Sequence, residues 1–489
     1  MPYGVWVAGL TDDPAGQALA VRGTMVLGGL YFAGIFHWVP LALYAADPGP
    51  ASTALAAASY ALIVAGLAGL AGLFGGILHH SVRSGGAPLW LGLPVAWTAF
   101  EWTRAHLPDS LALPWLGLGT SLTSVPELVG AAEVVGARGI TFWIVAVNGL
   151  LATAWIRRSW APALAALVAA AAIGGWGFWR AGELEPRTVA RVAVVQPDVA
   201  RGTKVGVDTP RPQEIAAALP TVGEASPAGY AVLPASADLV VLPELFIRAN
   251  PLSPSATGIV AAVREFSGAV GAPVLFGALG SMSYNSAFLL RPDGLTPFRY
   301  DKRHLVPLVE RVPFQRRESG YEVGEGWPLA EVSGVRYGVF ICYESSYPGV
   351  ARALRLQGAD VLVNITNDAW LEGMDPFRRT VALWQHPAHL VMRAVEGRVG
   401  VVRSAATGLS LFVDPVGRIY GATELGSPSV SLEGVQTVAG LTIYHRLGDV
   451  IGVACTLFAL FVLARLLLRG RLGSDRRRCP SLDPHGSRV

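Results

Sequence analysis

Long apolar runs constrain this chain more than any other feature of its sequence. A helix needs about 20 apolar residues to cross the hydrocarbon core of a bilayer. Runs near that length lie at 23–46, 52–78, 87–102, 140–156, 161–179 and 450–468. Only 15% of the 489 residues are charged, against roughly 25% in soluble domains. The sequence therefore predicts a multi-pass membrane protein that also carries one soluble domain.

Basic residues between the runs predict the side of the membrane that each connection faces. Arg22 precedes the first run, residues 79–83 separate the second from the third, and Arg157 and Arg158 separate the fourth from the fifth. These positions share one side if the runs alternate, and the positive-inside rule makes that side the cytoplasm. Region 183–445 is then extracytoplasmic, which in a Gram-negative cell means the periplasm.

A different pattern occupies the long region between the fifth and sixth runs. Its apolar runs are short and end at turn signals, as is typical of buried strands. They lie at 189–195, 238–242, 273–279, 286–290, 335–341, 360–365, 400–402 and 409–413, with helical patterns at 257–269, 349–357 and 376–398. Strands that alternate with helices indicate an α/β sandwich.

The chain is thus predicted to have three domains. Residues 1–182 form a transmembrane domain of about five spans, residues 183–445 an extracytoplasmic α/β domain, and residues 446–489 a transmembrane helix with a basic cytoplasmic tail. A net charge of +3 is too small to indicate a nucleic-acid partner. The three cysteines have no metal-ligand spacing, so neither a metal nor another cofactor is expected.

Two features of the membrane part suggest more than an anchor. Glu101 and Arg104 lie at the end of the third run, and ionisable groups at such positions are often functional. Segment 114–119 is apolar and glycine-rich but too short to span. It is predicted to be an interfacial or re-entrant piece beside a lipid-accessible site, although a purely structural role fits each of these residues equally well.

Three polar residues follow apolar runs in the extracytoplasmic domain. Cys342 ends run 335–341, where open α/β sheets place reactive groups. A cysteine nucleophile needs its thiolate, and Glu244, at the end of another run, is a candidate base. Lys302 would lower the thiol pKa and stabilise an oxyanion, with the backbone N–H of Tyr343 as a second donor.

Taken singly, each of these residues has a structural explanation. A cysteine that ends a strand is most often a small buried hydrophobic residue, and a lone Glu or Lys at a strand edge is usually solvated. Their joint occurrence makes a catalytic cysteine site the better hypothesis.

Several motifs resemble a known family. Leu242-Pro-Glu244, Asp301-Lys302 and Ile341-Cys342-Tyr343-Glu344 resemble the Glu–Lys–Cys set of the nitrilase, or carbon–nitrogen hydrolase, superfamily. Longer stretches resemble its membrane-bound branch, the apolipoprotein N-acyltransferase family; they lie at 93–104, 114–115, 302–313, 364–370 and 384–386. The resemblance extends from about residue 23 to residue 468.

The resemblance implies both a fold and a reaction. The fold would be a polytopic helical membrane domain joined to a nitrilase-like αββα sandwich. The reaction would be a ping-pong acyl transfer at the outer face of the bacterial inner membrane. A phospholipid, expected to be phosphatidylethanolamine, would acylate Cys342. The α-amine of a lipoprotein's diacylglyceryl-cysteine would then accept the acyl chain as an amide.

It also implies roles for seven residues. The catalytic residues would be Glu244 as base, Lys302 as oxyanion partner and Cys342 as nucleophile. Supporting residues would be Glu310 and Glu344 through their charge, and Tyr343 and Trp370 as the walls of an acyl pocket. Loops 311–325 and 371–375 are predicted lids over that pocket.

Two other functions are compatible with parts of the sequence. A membrane-tethered amidase or nitrilase would use water as acceptor, but a mere tether would not need the motifs of the membrane part. A transporter or scaffold with a degenerate domain predicts the loss of Glu244, Lys302 or Cys342, and all three are present. Acyl transfer is therefore the favoured hypothesis.

Overall fold

A computed structural model gives the fold of most of the chain. It describes residues 1–13, 15–41, 49–83, 86–108, 111–198, 219, 236–281, 283–307, 309–311, 320–372 and 381–478. The predicted lids fall partly outside this set, as residues 312–319 and 373–375 are not described. The side chain of Trp370 also lies outside the described part.

The amino-terminal part is helical. Its helices are α1 (Pro2–Gly9), α2 (Gly16–Ile35), α3 (Pro50–Arg83), α4 (Leu89–Ala105), α5 (Ala132–Arg157) and α6 (Trp160–Glu183). Within the described residues, five helices are long and apolar enough to cross a membrane: Gly16–Leu41, Pro50–Arg83, Ala132–Arg157, Trp160–Glu183 and Val450–Leu468. They overlap five of the six predicted runs, so the prediction of a multi-pass membrane protein is confirmed.

The third run forms a shorter helix. Helix α4 has 17 residues, somewhat fewer than the roughly 20 that a span requires. Pro88 precedes it in an extended conformation, and the helix ends before His106. Glu101 and Arg104 are buried on it. These two side chains therefore face neighbouring protein rather than lipid, whereas Trp90 and Leu91 near the start of the helix are exposed.

The remaining domain is a sandwich of two six-stranded sheets. In the first sheet the order is β12-β1-β2-β3-β4-β5, from β1 (Arg187–Gln196), β2 (Leu239–Val241), β3 (Val274–Ser281), β4 (Tyr284–Arg291), β5 (Gly294–Asp301) and β12 (Ser429–Thr437). In the second the order is β11-β10-β9-β8-β7-β6, from β6 (Leu329–Val332), β7 (Val335–Ile341), β8 (Val361–Thr366), β9 (Val401–Ala405), β10 (Leu411–Val413) and β11 (Ile419–Tyr420).

Helices cover the outer face of each sheet. Helix α7 (Thr257–Val270) packs on the first sheet, whereas α8 (Pro348–Leu356) and α10 (Ala382–Gly397) pack on the second. Apolar residues from the facing sides of both sheets form one continuous core. The four layers are the predicted αββα sandwich. They are followed by α11 (Ile443–Leu447) and α12 (Val450–Arg478), and α12 packs on the membrane helices α3, α4 and α5. A one-turn helix, α9 (Ala369–Glu372), follows β8.

All eight predicted strands are present, but four observed strands were not predicted. These are β5, β6, β11 and β12. The longest of them, β12, reads Ser-Val-Ser-Leu-Glu-Gly-Val-Gln-Thr and has a single fully buried residue. Because edge strands such as β12 bury little, they lack the apolar run that marks a central strand.

The sheets bring the predicted site residues together at strand ends. Glu244 follows β2, Lys302 follows β5 and Cys342 follows β7, so the site draws on both sheets. Cys342 has φ +54° and Leu245, directly after Glu244, has φ +51°. Such left-handed backbone at non-glycine residues costs about 1–3 kcal/mol and persists where surrounding contacts enforce it, often in active sites.

Candidate active site

A buried lysine between two carboxylates forms the charged part of the site. Lys302 Nζ lies 3.2 Å from Glu244 Oε1 and 2.8 Å from Glu310 Oε1. Burial lowers the pKa of Lys302, but Glu244 and Glu310 outweigh it and hold that pKa well above the ordinary value. Lys302 is therefore a cation, although its side chain is wholly inaccessible to solvent.

Both carboxylates are fixed by further hydrogen bonds. Asn285 Nδ2 donates to Glu244 Oε1 over 2.7 Å and to Glu310 Oε1 over 3.3 Å. The backbone N–H of Asn367 donates to the second oxygen of Glu244, and that of Val306 to the second oxygen of Glu310, each over 2.8 Å. Each carboxylate thus has one orientation, set by donors from strand β4 and from the loops after β5 and β8.

Cys342 begins a one-turn 3-10 helix, Cys342–Ser346, directly after β7. Its side chain is almost fully buried. Burial, followed by the carboxylate of Glu244, raises the pKa of the thiol, while Lys302 lowers it; the net pKa lies well above the ordinary value. The resting side chain of Cys342 is therefore a neutral thiol within the electrostatic reach of both Glu244 and Lys302.

Glu344 joins the turn after Cys342 to the loop after Lys302. One of its oxygens accepts from Tyr300 Oη over 2.8 Å and from the backbone N–H of Arg303 over 2.9 Å. The other accepts from the backbone N–H of Ile341 over 2.7 Å. Burial raises the pKa of Glu344, and these hydrogen bonds oppose the rise. Its contacts make Glu344 a link between two strand ends rather than a base that faces Cys342.

An apolar cleft lies against Tyr343, the residue that follows Cys342. Its empty volume, open mouth included, is about 610 Å³. The sandwich contributes four lining residues, Tyr343, Val306, Pro307 and Val309. The membrane part contributes Phe36, Trp38, Val39, Ser59, Ile63, Leu113 and Trp115. Trp115, in the segment predicted to be re-entrant, stacks on Tyr343 with ring centroids 6.1 Å apart. The cleft therefore leads from the membrane helices to the Cys342 turn.

Four polar residues behind Cys342 were missed as functional candidates. They form a buried network that contacts the backbone carbonyl of Cys342, and they are His386, Asn364, Asp368 and Arg403. Stretches 364–370 and 384–386 carried the family resemblance, and that was the available signal. The local sequence pattern did not indicate which groups these four side chains contact.

Models of two protein families match the chain. The carbon–nitrogen hydrolase model matches residues 191–439, and the apolipoprotein N-acyltransferase N-terminal domain model matches residues 5–150. A protein of Geobacter metallireducens named apolipoprotein N-acyltransferase is 30% identical over 91% of this chain and 86% of its own length. The chain belongs to the apolipoprotein N-acyltransferase family.

A second relative agrees with this assignment. An apolipoprotein N-acyltransferase of Ralstonia nicotianae is 30% identical over 91% of this chain and 84% of its own length. Among solved structures, an amidase from Nesterenkonia sp. AN1 is 18% identical and covers 53% of this chain and 97% of its own, with a TM-score of 0.35. Since the family's membrane domain is matched as well as its hydrolase domain, the alternative of a tethered amidase is not favoured.

Proposed function

We propose that this chain moves an acyl chain from a phospholipid to the α-amine of a lipoprotein's diacylglyceryl-cysteine through a thioester on Cys342. One observation carries the proposal: the Glu244–Lys302–Glu310 cluster and Cys342 meet beside an apolar cleft whose outer walls are membrane helices. Both lipid substrates are confined to a membrane, so a site of this kind must open toward the bilayer.

The first half-reaction acylates the cysteine. Glu244 accepts the thiol proton as the sulfur attacks the ester carbonyl, and Lys302 with the N–H of Tyr343 stabilises the oxyanion. Collapse of the tetrahedral intermediate breaks the ester C–O bond. The lysophospholipid oxygen takes the proton back from Glu244 and leaves, while the acyl group stays on sulfur as a thioester.

The second half-reaction forms the amide. The neutral α-amine attacks the thioester carbonyl, Glu244 accepts a proton from the nitrogen, and the same donors stabilise the new oxyanion. Collapse then breaks the C–S bond and returns the proton to Cys342. The thioester conserves the activation of the ester, so no nucleotide is needed. The burial of Cys342 favours aminolysis over hydrolysis because it keeps bulk water from the thioester.

The proposal also includes a donor, which the family resemblance implies, and a location. Phosphatidylethanolamine is the expected donor, with its acyl chain in the cleft beside Tyr343, and Trp370 is proposed as a further wall. Glu310 would hold Lys302 in place, and Glu344 would hold the two strand ends together. We place the sandwich, residues 183–445, in the periplasm and the membrane helices in the inner membrane, as the distribution of basic residues indicates.

Intact mass spectrometry of the purified protein tests this reaction. Incubation with phosphatidylethanolamine is expected to add one acyl chain that hydroxylamine removes and that a diacylated lipopeptide discharges. Cys342→Ala is the matched control and should gain nothing. A wild-type protein that releases free fatty acid and never acylates the lipopeptide would contradict the proposal and favour the hydrolase.

A further inference from the structure

The backbone carbonyl of Cys342 is held by side chains that the catalytic scheme does not use. His386 Nε2 lies 3.1 Å from this oxygen, and Asn364 Nδ2 lies 3.4 Å from it. A carbonyl oxygen can only accept, so Nε2 of His386 carries a proton and donates it. Two donors thus converge on one carbonyl at the nucleophile itself.

His386 is held in turn by a buried ion pair. Its Nδ1 lies 3.1 Å from Asp368 Oδ1, and Asp368 also pairs with Arg403. Thr366 Oγ1 donates to the same carboxylate oxygen over 3.0 Å. Each of these side chains is at most 2% exposed. Since buried polar groups that are fully bonded have one arrangement, the imidazole has a fixed orientation.

Asn364 is tied to the same network. Arg403 Nη1 donates to Asn364 Oδ1 over 2.8 Å, and the amide nitrogen of Asn364 then donates to the carbonyls of Phe340 and Cys342, each over 3.4 Å. Arg403 therefore contacts both donor side chains, because its Nη2 also lies 3.2 Å from His386 Nδ1. Its guanidinium also donates from Nε to the carbonyl of Leu409 over 3.0 Å, which anchors the network to the loop before β10.

Because a peptide bond is planar, hydrogen bonds that fix the Cys342 carbonyl also fix the direction of the neighbouring N–H. The C=O of Cys342 and the N–H of Tyr343 belong to one planar trans peptide and point in opposite directions. Any rotation of that plane would swing both groups together. Cys342 also has φ +54°, so its turn needs outside contacts to persist.

We propose that His386 is a positioning residue whose hydrogen bond to the Cys342 carbonyl directs the Tyr343 N–H at the oxyanion. Asp368, Arg403 and Asn364 hold His386 and this carbonyl in place. This inference rests on the proposed thioester chemistry and extends it to residues that contact no substrate. Hydrogen bonds to the carbonyl also polarise the peptide, which strengthens its N–H as a donor.

Two reactions of the same sulfur separate this role from a general structural one. Acylation by phosphatidylethanolamine or by a p-nitrophenyl ester passes through an oxyanion, whereas alkylation by iodoacetamide does not. His386→Leu is expected to lower the single-turnover acylation rate about 100-fold, as the loss of one oxyanion donor does, and to leave alkylation within about threefold. His386→Gln, which keeps a donor near Nε2, should stay within about tenfold of wild type for acylation.

A neighbouring histidine supplies the matched control. His389 lies one turn farther along α10, is 2% exposed and packs against Trp115 with ring centroids 5.1 Å apart. His389→Leu is expected to leave the ratio of acylation to alkylation unchanged, because no hydrogen bond joins His389 to the Cys342 carbonyl among the described contacts.

Three outcomes would overturn the inference. They are equal losses of acylation and alkylation in His386→Leu, unchanged acylation in that variant, and the same ratio shift in His389→Leu. Failure of the proposed function looks different. In that case the wild type would accept an acyl group from the p-nitrophenyl ester but not from phospholipid, and the two histidine variants would still differ.

Discussion

At the scale of single residues, the site contains buried charged groups that stabilise one another because water cannot solvate them. Lys302 is enclosed by the carboxylates of Glu244 and Glu310, and Asn285 bridges the same two groups. Removing one partner of a buried ion pair costs far more stability than replacing both partners by apolar residues, because the remaining partner keeps an uncompensated charge. The proposed role of Lys302 in catalysis should therefore be separable from its effect on stability.

Lys302→Met is expected to abolish Cys342 acylation and to destabilise the protein by about 3–5 kcal/mol, because two carboxylates are then buried without a cation. Adding Glu310→Gln should recover much of that stability and none of the activity. Thermal melts of the single and double variants in one detergent measure the first effect, and the mass-spectrometric assay measures the second. Recovery of acylation in the double variant would contradict a catalytic role for Lys302.

At the scale of elements, close packing of strand β3 against the loop after β2 sets the position of Glu244. A Cβ added at Gly277 would lie 2.6 Å from Glu244 Cα and 2.7 Å from the carbonyl oxygen of Pro243. Both are backbone atoms, so no side chain can rotate away. The loop that carries Glu244 can approach β3 this closely because residue 277 has no side chain.

Gly277→Ala should displace Glu244 from Lys302 and lower the acylation rate, with a loss of about 1–3 kcal/mol in stability from overpacking. Gly268→Ala is the control, since an added Cβ at Gly268 in α7 meets nothing within 4 Å. A glycine-to-alanine change inside a helix stabilises by about 0.5–1 kcal/mol. The assignment fails if the two variants have equal melting temperatures and equal acylation rates.

At the scale of the whole molecule, a buried ion pair joins the membrane part to the sandwich. Glu133 of α5 pairs with Arg398, just after α10, over 3.0 Å, and with Arg180 of α6 over 2.8 Å. Trp115 donates to Gln385 Oε1 over 2.9 Å. The apolar cleft needs walls from both parts, so its shape depends on this docking.

Glu133→Gln should lower stability by about 3 kcal/mol, since Arg398 is only 3% exposed and loses its counter-charge. Glu127→Gln removes a similar cross-domain pair whose arginine, Arg418, has a side chain 59% exposed. That change should cost less than about 1 kcal/mol. Melting temperatures in detergent make the comparison, and an equal effect of the two changes would count against a docking role for Glu133.

Much of the fold could be predicted because its signals are local. Central strands such as β7 and β8 are continuous apolar runs, and so are the membrane helices, so each was visible without any partner. The strands that were missed lie at or toward sheet edges. Strand β12 becomes a strand only because β1 pairs with it from Arg187↔Thr437 to Gln196↔Ser429. Its own residues bury too little to indicate that pairing.

The sequence by itself determined the membrane spans, the alternation of strands and helices, and the motifs that single out Glu244, Lys302 and Cys342. These depend on hydrophobic period and residue type within short windows. Only the tertiary structure decided that Asn285 would donate to two carboxylates and that His386 would donate to the carbonyl of Cys342, which lies 44 residues away in the chain. Hydrogen bonds of this kind depend on directions that the packing of two sheets and several helices sets, and no local pattern encodes them.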